Sequence, residues 1–242
     1  MYEERYYRQQ MCPEGMAAFR AVEYESDLYI AVSQEQMTSG LKKLVKEEIH
    51  RVRKVLTDYE TLHTGFIESL VPLPILKEDE LLIKLMKTAG ITVGVGPMAA
   101  VAGAVSDQIA QNALKDCSEF ILENGGDLLI KTGQKRRVAI ETGNSPFKDL
   151  HLLIEASKHP IGICTSSGIM GHSLSFGKAD AATVISENVY LADAAATALG
   201  NRLKTAEDIQ PALEWIQRIP GIKGALVIIE GRLGAWGEVT LD

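Results

Sequence analysis

The chain predicts an α+β fold, a sheet layered against helices, and three observations carry that expectation. Strand-like segments come in groups around pairs of helices instead of alternating with them singly, the grouping recurs in both halves, and the long helical segment of the first half shows an apolar face. Composition agrees: 46% of the 242 residues are hydrophobic and 24% charged, which excludes a disordered, collagenous or low-complexity chain. A chain of this length buries roughly 70 to 75% of its unfolded surface and needs no disulfide or structural metal. One domain spanning residues 1–242 is therefore expected.

Taken in order, residues 2–9, 17–24 and 28–32 read as strands separated by turns at Pro13, Glu14 and Gly15 and at Ser26 and Asp27, an antiparallel meander. From residue 35 to about 56, Leu41, Leu44, Val45, Ile49, Val52, Val55 and Leu56 recur at helical spacing with Lys and Glu between them, which predicts one long amphipathic helix across the sheet. Pro72 and Pro74 break the pattern. A shorter helix restarts over residues 78–87, and Gly90 is placed to end it. Residues 91–107 read as a glycine-bearing loop entering a helix of small residues that continues to Leu114.

Residues 120–123 and 128–131 predict a hairpin closed by Asn124, Gly125, Gly126 and Asp127. Lys135, Arg136 and Arg137 read as a solvated turn. Strands resume at residues 138–142, 151–155, 161–165 and 182–186, helices follow at 191–203 and 206–217, and residues 224–236 form a last hairpin.

Several function classes are disfavoured. A net charge of −7 with seven Tyr, five Phe and two Trp argues against non-specific nucleic-acid binding. The longest apolar stretch, residues 93–105, contains a Pro and several Gly, whereas a membrane span needs about 20 apolar residues. No membrane partner is expected. The N-terminus lacks a basic start followed by an apolar run, and Cys12, Cys117 and Cys164 are odd in number and widely spaced. A reducing, cytoplasmic setting follows as the expectation.

Three constellations could carry chemistry. The turn Asn124, Gly125, Gly126, Asp127 is either an ordinary hairpin turn or a set of exposed amides and side chains that contact a ligand. Thr165, Ser166, Ser167 and Gly168 end an apolar strand, where hydroxyls and loop amides suit phosphate or ribose contacts, unless they form a plain Ser-rich turn. His172, four residues on, is a candidate general base or phosphate donor, or a solvent-exposed loop histidine. Asp193 and Thr197 stand four apart on one helix face with only methyls between them. Their oxygens can share a hard cation such as Mg²⁺, leaving room for waters and phosphate. Alternatively Asp193 offsets its own helix dipole and Thr197 bonds back to its helix. No Gly-x-Ser-x-Gly elbow or Gly-x-x-x-x-Gly-Lys-Ser/Thr loop occurs, so serine-hydrolase and P-loop readings lack support.

These segments, in this order, resemble the ApbE-like superfamily, whose best-known members are Mg²⁺-dependent FAD:protein FMN transferases. The resemblance covers most of the chain: Glu48, Ile49, His50, Arg51 and Val52 on the long helix, residues 100–107, the turn at 124–127, residues 165–168, His172 and residues 192–199. It implies a duplicated, T-fold-like sheet-and-helix-pair architecture. It also implies Mg²⁺ held by Asp193 and Thr197 with a main-chain oxygen from residues 99–101, and FAD or a related nucleotide as ligand. A protein acceptor is implied as a second partner.

Two departures separate the chain from the transferases. They carry a lysine just before Gly103, where this chain has Ala102, and an Asp-Pro-x-Thr-Gly turn after the histidine, where this chain reads Ser173, Leu174, Ser175, Phe176, Gly177. The residues thus resemble a divergent cytoplasmic subgroup. Two functions stay open: an Mg²⁺-dependent protein of the FMN-transferase or FAD-pyrophosphatase kind, and a non-catalytic flavin- or nucleotide-binding module that has lost transfer. Lys178 is a candidate substitute for the missing cation, or a solvated loop lysine.

Overall fold

The computed structural model describes residues 8, 11, 13–143, 145–168 and 177–242, and the expected strand at residues 2–9 lies outside these apart from Arg8. Ten strands follow in chain order: β1 (Met16–Glu23), β2 (Ser26–Ser33), β3 (Phe120–Asn124), β4 (Asp127–Thr132), β5 (Arg136–Ala139), β6 (His151–Ile154), β7 (Ser157–Ser166), β8 (Ala181–Ser186), β9 (Ile222–Ile229) and β10 (Arg232–Gly237). The helices are α1 (Ser39–Leu62), α2 (Leu81–Val93), α3 (Val101–Asn112), α4 (Val189–Arg202) and α5 (Ile209–Ile216). The fold is α+β.

Eight strands form one antiparallel sheet in the order β1-β2-β3-β4-β7-β8-β9-β10, and β5 pairs with β6 in a separate ribbon. Helices α1 to α3 interrupt the first four strands after β2, and α4 and α5 interrupt the last four after β8. The strand period of two gives the sheet two buried faces. Phe120, Leu122, Leu129, Cys164, Val184, Ala225 and Val227 face the helices. Ile121, Ile130, Ile163, Ile185, Leu226 and Ile228 face the β5–β6 ribbon, which contributes Val138, Leu152 and Ile154.

Several boundaries differ from the sequence expectation for local reasons. Helix α1 begins at Ser39, because Thr38 accepts the Leu41 amide as its cap (3.0 Å), and it runs on to Leu62. Gly90 does not end α2. It lies inside the helix, which continues to Val93 and stops at Gly94 in the left-handed conformation (φ 81°). Arg136 and Arg137 belong to β5 and not to a solvated turn. Arg136 is largely buried against Glu119, while Arg137 pairs with Asp242. Among the described residues no single helix is long and apolar enough to cross a membrane.

Helix α4 is the element that positions the site. Its Ala192, Ala194, Ala195, Ala196 and Ala198 are all buried, and their small size lets α3, β7 and β8 pack close around it. Asn188 caps it by accepting the Leu191 amide (3.1 Å). Gly103 on α3 is required at the crossing, since a Cβ there would lie 2.5 Å from the Val189 carbonyl oxygen and 3.2 Å from Asp193 Cβ.

Candidate functional site

The sheet and the α3–α4 crossing bring four sequence-distant segments together: the start of α3, the 124–127 turn, the end of β7 and α4. Between β3 and β4 the chain reverses through Gly125 (φ 70°) and Gly126 (φ 101°), the pair of positive φ angles that a tight hairpin turn needs. Asn124 and Asp127 are thereby cross-strand neighbours. The Asn124 side chain donates to the Ala102 carbonyl (3.2 Å) at the start of α3. The Thr165 amide at the end of β7 donates to Asp127 Oδ1 (2.9 Å). The Gly103 amide donates to Asp193 Oδ2 (2.8 Å).

Asp193 therefore does not serve its own helix. It lies in the second turn of α4, whose start Asn188 already caps, and reaches across to the first-turn amides of α3, Gly103 with Ala102 beside it. Thr197 follows one turn later, half-buried, and its hydroxyl makes no bond back to α4 among the described residues. Neither alternative given by spacing alone, the helix dipole for Asp193 or the back-bond for Thr197, is what the geometry has.

The carboxyls of Asp127 and Asp193 approach each other closely enough to interact, and both residues are buried, 9% and 8% exposed. Burial pushes the Asp127 carboxyl up to about 7, with the charge of Glu123 adding to the rise and the Thr165 amide opposing it. Asp193 is raised well above the usual carboxylate range, first by burial and then by the charge of Asp127. Neither carboxyl forms an ion pair with a Lys, Arg or His among the described residues. The Cys164 thiol touches Asp127, and burial together with the two acids raises it well above its ordinary value.

The four residues at the end of β7 divide between the sheet's faces. Thr165 offers its amide to Asp127 while its hydroxyl bonds Thr183 (2.9 Å) on the other face. Ser166 shares the face of Cys164, and its hydroxyl is buried with no hydrogen-bond partner. Ser167 is half-buried; Gly168 is exposed and its amide donates to the Ala179 carbonyl (3.0 Å). His172 lies outside the described residues. Lys178 is exposed.

Sequence reasoning missed Glu123, which is 1% exposed. Its Oε1 accepts the Gly126 amide (2.8 Å) and its Oε2 takes Arg8 Nε (2.5 Å), so the turn is anchored from behind by a compensated acid. The available signal was a lone charge at the end of the apolar run Phe120, Ile121, Leu122. Cys164 was likewise missed as a site neighbour. A separate surface cleft of about 310 Å³, lined by Leu85, Thr88, Asn188 and Leu191, holds no titratable group.

A family model described as AbpE bacteria matches residues 9–235. The chain belongs to this family. Similar members include a UPF0280 protein of Methanosarcina acetivorans, 39% identical over 196 residues that make up 80% of this chain and 78% of that protein. A UPF0280 protein of Methanococcus maripaludis is 38% identical over 203 residues, 81% of this chain and 82% of that one. Among solved structures, the flavin transferase ApbE from Vibrio cholerae superposes with a TM-score of 0.57 at 14% identity, over 93% of this chain and 97% of that one. The apo flavinyl transferase ApbE of Pseudomonas stutzeri gives a TM-score of 0.55 at 14% identity, over 92% and 94%. The family thus shares the ApbE fold as a divergent subgroup.

Proposed function

We propose that the chain is an Mg²⁺-dependent flavin-nucleotide-binding protein, one domain over residues 1–242, that acts in the cytoplasm on FAD or a closely related nucleotide. The observation that carries this reading is the meeting of the 124–127 turn, the end of β7 and the start of α3 around two buried carboxyls that have no basic partner among the described residues. The oxygen donors there, the Asp193 carboxylate and the Thr197 hydroxyl on one face of α4, are of the type a hard cation takes, and the described residues hold no cluster of three or more His, Cys, Asp or Glu that would make a metal site of their own. The likeness to proteins titled flavin transferases supports the choice of nucleotide.

Asp193 and Thr197 would hold the Mg²⁺, which supplies neutralisation of phosphate charge when bound. Asn124, bonded to the Ala102 carbonyl, keeps the hairpin tip against the start of α3, and the exposed turn would meet the nucleotide through Gly125, the Gly126 amide being held by Glu123. Thr165, Ser166, Ser167 and Gly168 would bind phosphate or ribose at the strand end, and burial of the site keeps bulk water from the carboxyls. His172 is the proposed base that takes the proton of the attacking nucleophile.

A second reading, a binding module without transfer, draws on one specific observation. Where the resembling transferases carry a lysine, Ala102 presents only a methyl, and the candidate substitute Lys178 is exposed with its amide committed to the Leu203 carbonyl (2.8 Å). Transfer requires groups preorganised for charge that develops only in the transition state, so binding can outlive it. Incubation of the purified protein with FAD and Mg²⁺ separates the two. Release of FMN and AMP, or mass-spectrometric detection of flavin on an added acceptor protein, supports the enzyme. Binding of FAD with neither product supports the module, and absence of FAD binding contradicts both.

A further inference from the structure

We infer that Asp127 is itself a ligand of the divalent cation, standing beside Asp193, and not a contact to the nucleotide. The inference rests on the reading of this site as one that takes Mg²⁺, and it assigns the acid of the hairpin turn to the metal.

Three observations and one physical argument lead there. The Asp127 carboxyl is aimed at Asp193 across the gap between the sheet and α4, and the Thr165 amide fixes it in that direction (2.9 Å). Among the described residues neither acid of the pair has an ion-pair partner, and the Arg8 guanidinium behind the turn is spent on Glu123 Oε2 and Asp27 Oδ1 (2.5 and 2.7 Å). Two ionised carboxyls in contact inside a protein repel strongly, and a bound cation removes that repulsion. The third observation is independent of the acids. Ser166 is 6% exposed and its hydroxyl has no partner, yet strand alternation puts it on the same face of β7 as Cys164, whose thiol touches Asp127. A buried hydroxyl that goes unbonded costs free energy unless something occupies the space it faces. Two carboxylates that approach each other, with an orphan hydroxyl on the sheet face that Cys164 shares, supply oxygen donors of the kind Mg²⁺ and Mn²⁺ prefer.

The competing arrangement has Asp127 acting only through Asp193, the two sharing a proton. Asp127→Asn separates these arrangements because the amide still donates to Asp193 while the charge is gone. The probe is Mn²⁺ alone, titrated into the full-length protein by calorimetry with the bound ion followed by electron paramagnetic resonance. A partner that only orients a ligand costs about 10- to 100-fold in affinity when altered. A loss of more than about 100-fold in Asp127→Asn, matching that of Asp193→Asn, is the expected result, and a smaller loss overturns the inference. A Mn²⁺-soaked crystal of the wild-type protein gives a second measurement that needs no variant. Both carboxylates on the ion support the assignment, and Asp127 off the ion overturns it. Wild-type protein that binds no Mn²⁺ contradicts the functional reading as well, whereas wild-type binding preserved in Asp127→Asn contradicts this inference alone.

Discussion

Two buried acidic groups in this molecule stand in opposite electrostatic situations. Asp79, in the segment that precedes α2, accepts hydrogen bonds from Lys87 Nζ (2.8 Å), the Tyr59 hydroxyl (2.6 Å) and the Leu76 amide (2.8 Å). Lys87 Nζ also donates to the Tyr59 hydroxyl (2.7 Å), and the Lys87 and Asp79 side chains are 3% and 0% exposed. Asp127 and Asp193 are about as deeply buried but face each other. The first group joins α1, α2 and the segment between them and has every charge answered. The second collects four segments and, among the described residues, has no basic partner, which is the condition expected where a ligand completes a site.

The difference should appear first in stability. Lys87→Met leaves Asp79 buried without its cation and is expected to cost about 3 to 5 kcal/mol in denaturant unfolding. Asp193→Asn in metal-free protein is expected to cost less than about 1 kcal/mol, since removing one of two like charges offsets a weakened bond to the Gly103 amide. Equal losses in the two variants would erase the distinction between a structural pair and a site.

A smaller effect concerns pH, where the two groups run in opposite directions. Burial alone would raise the Asp79 carboxyl, but the bonds from Lys87, Tyr59 and Leu76 hold it below its ordinary value. Its contribution is therefore present above the usual carboxylate range and is lost as pH falls through the folded-state value. Asp127 is raised to about 7, so in metal-free protein its contribution is full at acid pH, below the unfolded carboxylate value, and is lost as pH rises toward 7. The stability of Asp127→Asn minus that of wild type should thus grow between pH 5 and about 7 and level off above, read by thermal melting. A difference that does not change with pH would contradict the buried like-charge contact.

Much of the architecture was legible because it is local. The Asn124 to Asp127 hairpin, the small-residue helix after Pro97 and the α4 segment announce themselves through turn residues and periodicity, and each stands where the pattern puts it. Gly90 misled because glycine marks both helix ends and close approaches; here an added Cβ would lie 2.6 Å from the Val95 carbonyl oxygen, so it is a packing glycine within α2. The bonds that join Asn124, Asp127, Thr165 and Asp193 to their neighbours were not legible. Asp193 reaching the Gly103 amide spans 90 positions, and Arg8 reaching Glu123 spans 115, distances at which spacing says nothing about contact. The Lys87, Asp79 and Tyr59 group was missed for the same reason, although its members lie within 28 positions.

Magnesium-dependent thermal stability tests the central claim most directly. A ligand that binds only the folded state stabilises it by about 2.7 kcal/mol at 100 times its dissociation constant. Wild-type protein at pH 8 should melt progressively higher as Mg²⁺ is added, and Asp193→Asn should melt at one temperature throughout. A wild-type midpoint indifferent to Mg²⁺, or the same upward shift in Asp193→Asn, would contradict a cation site at the paired carboxyls.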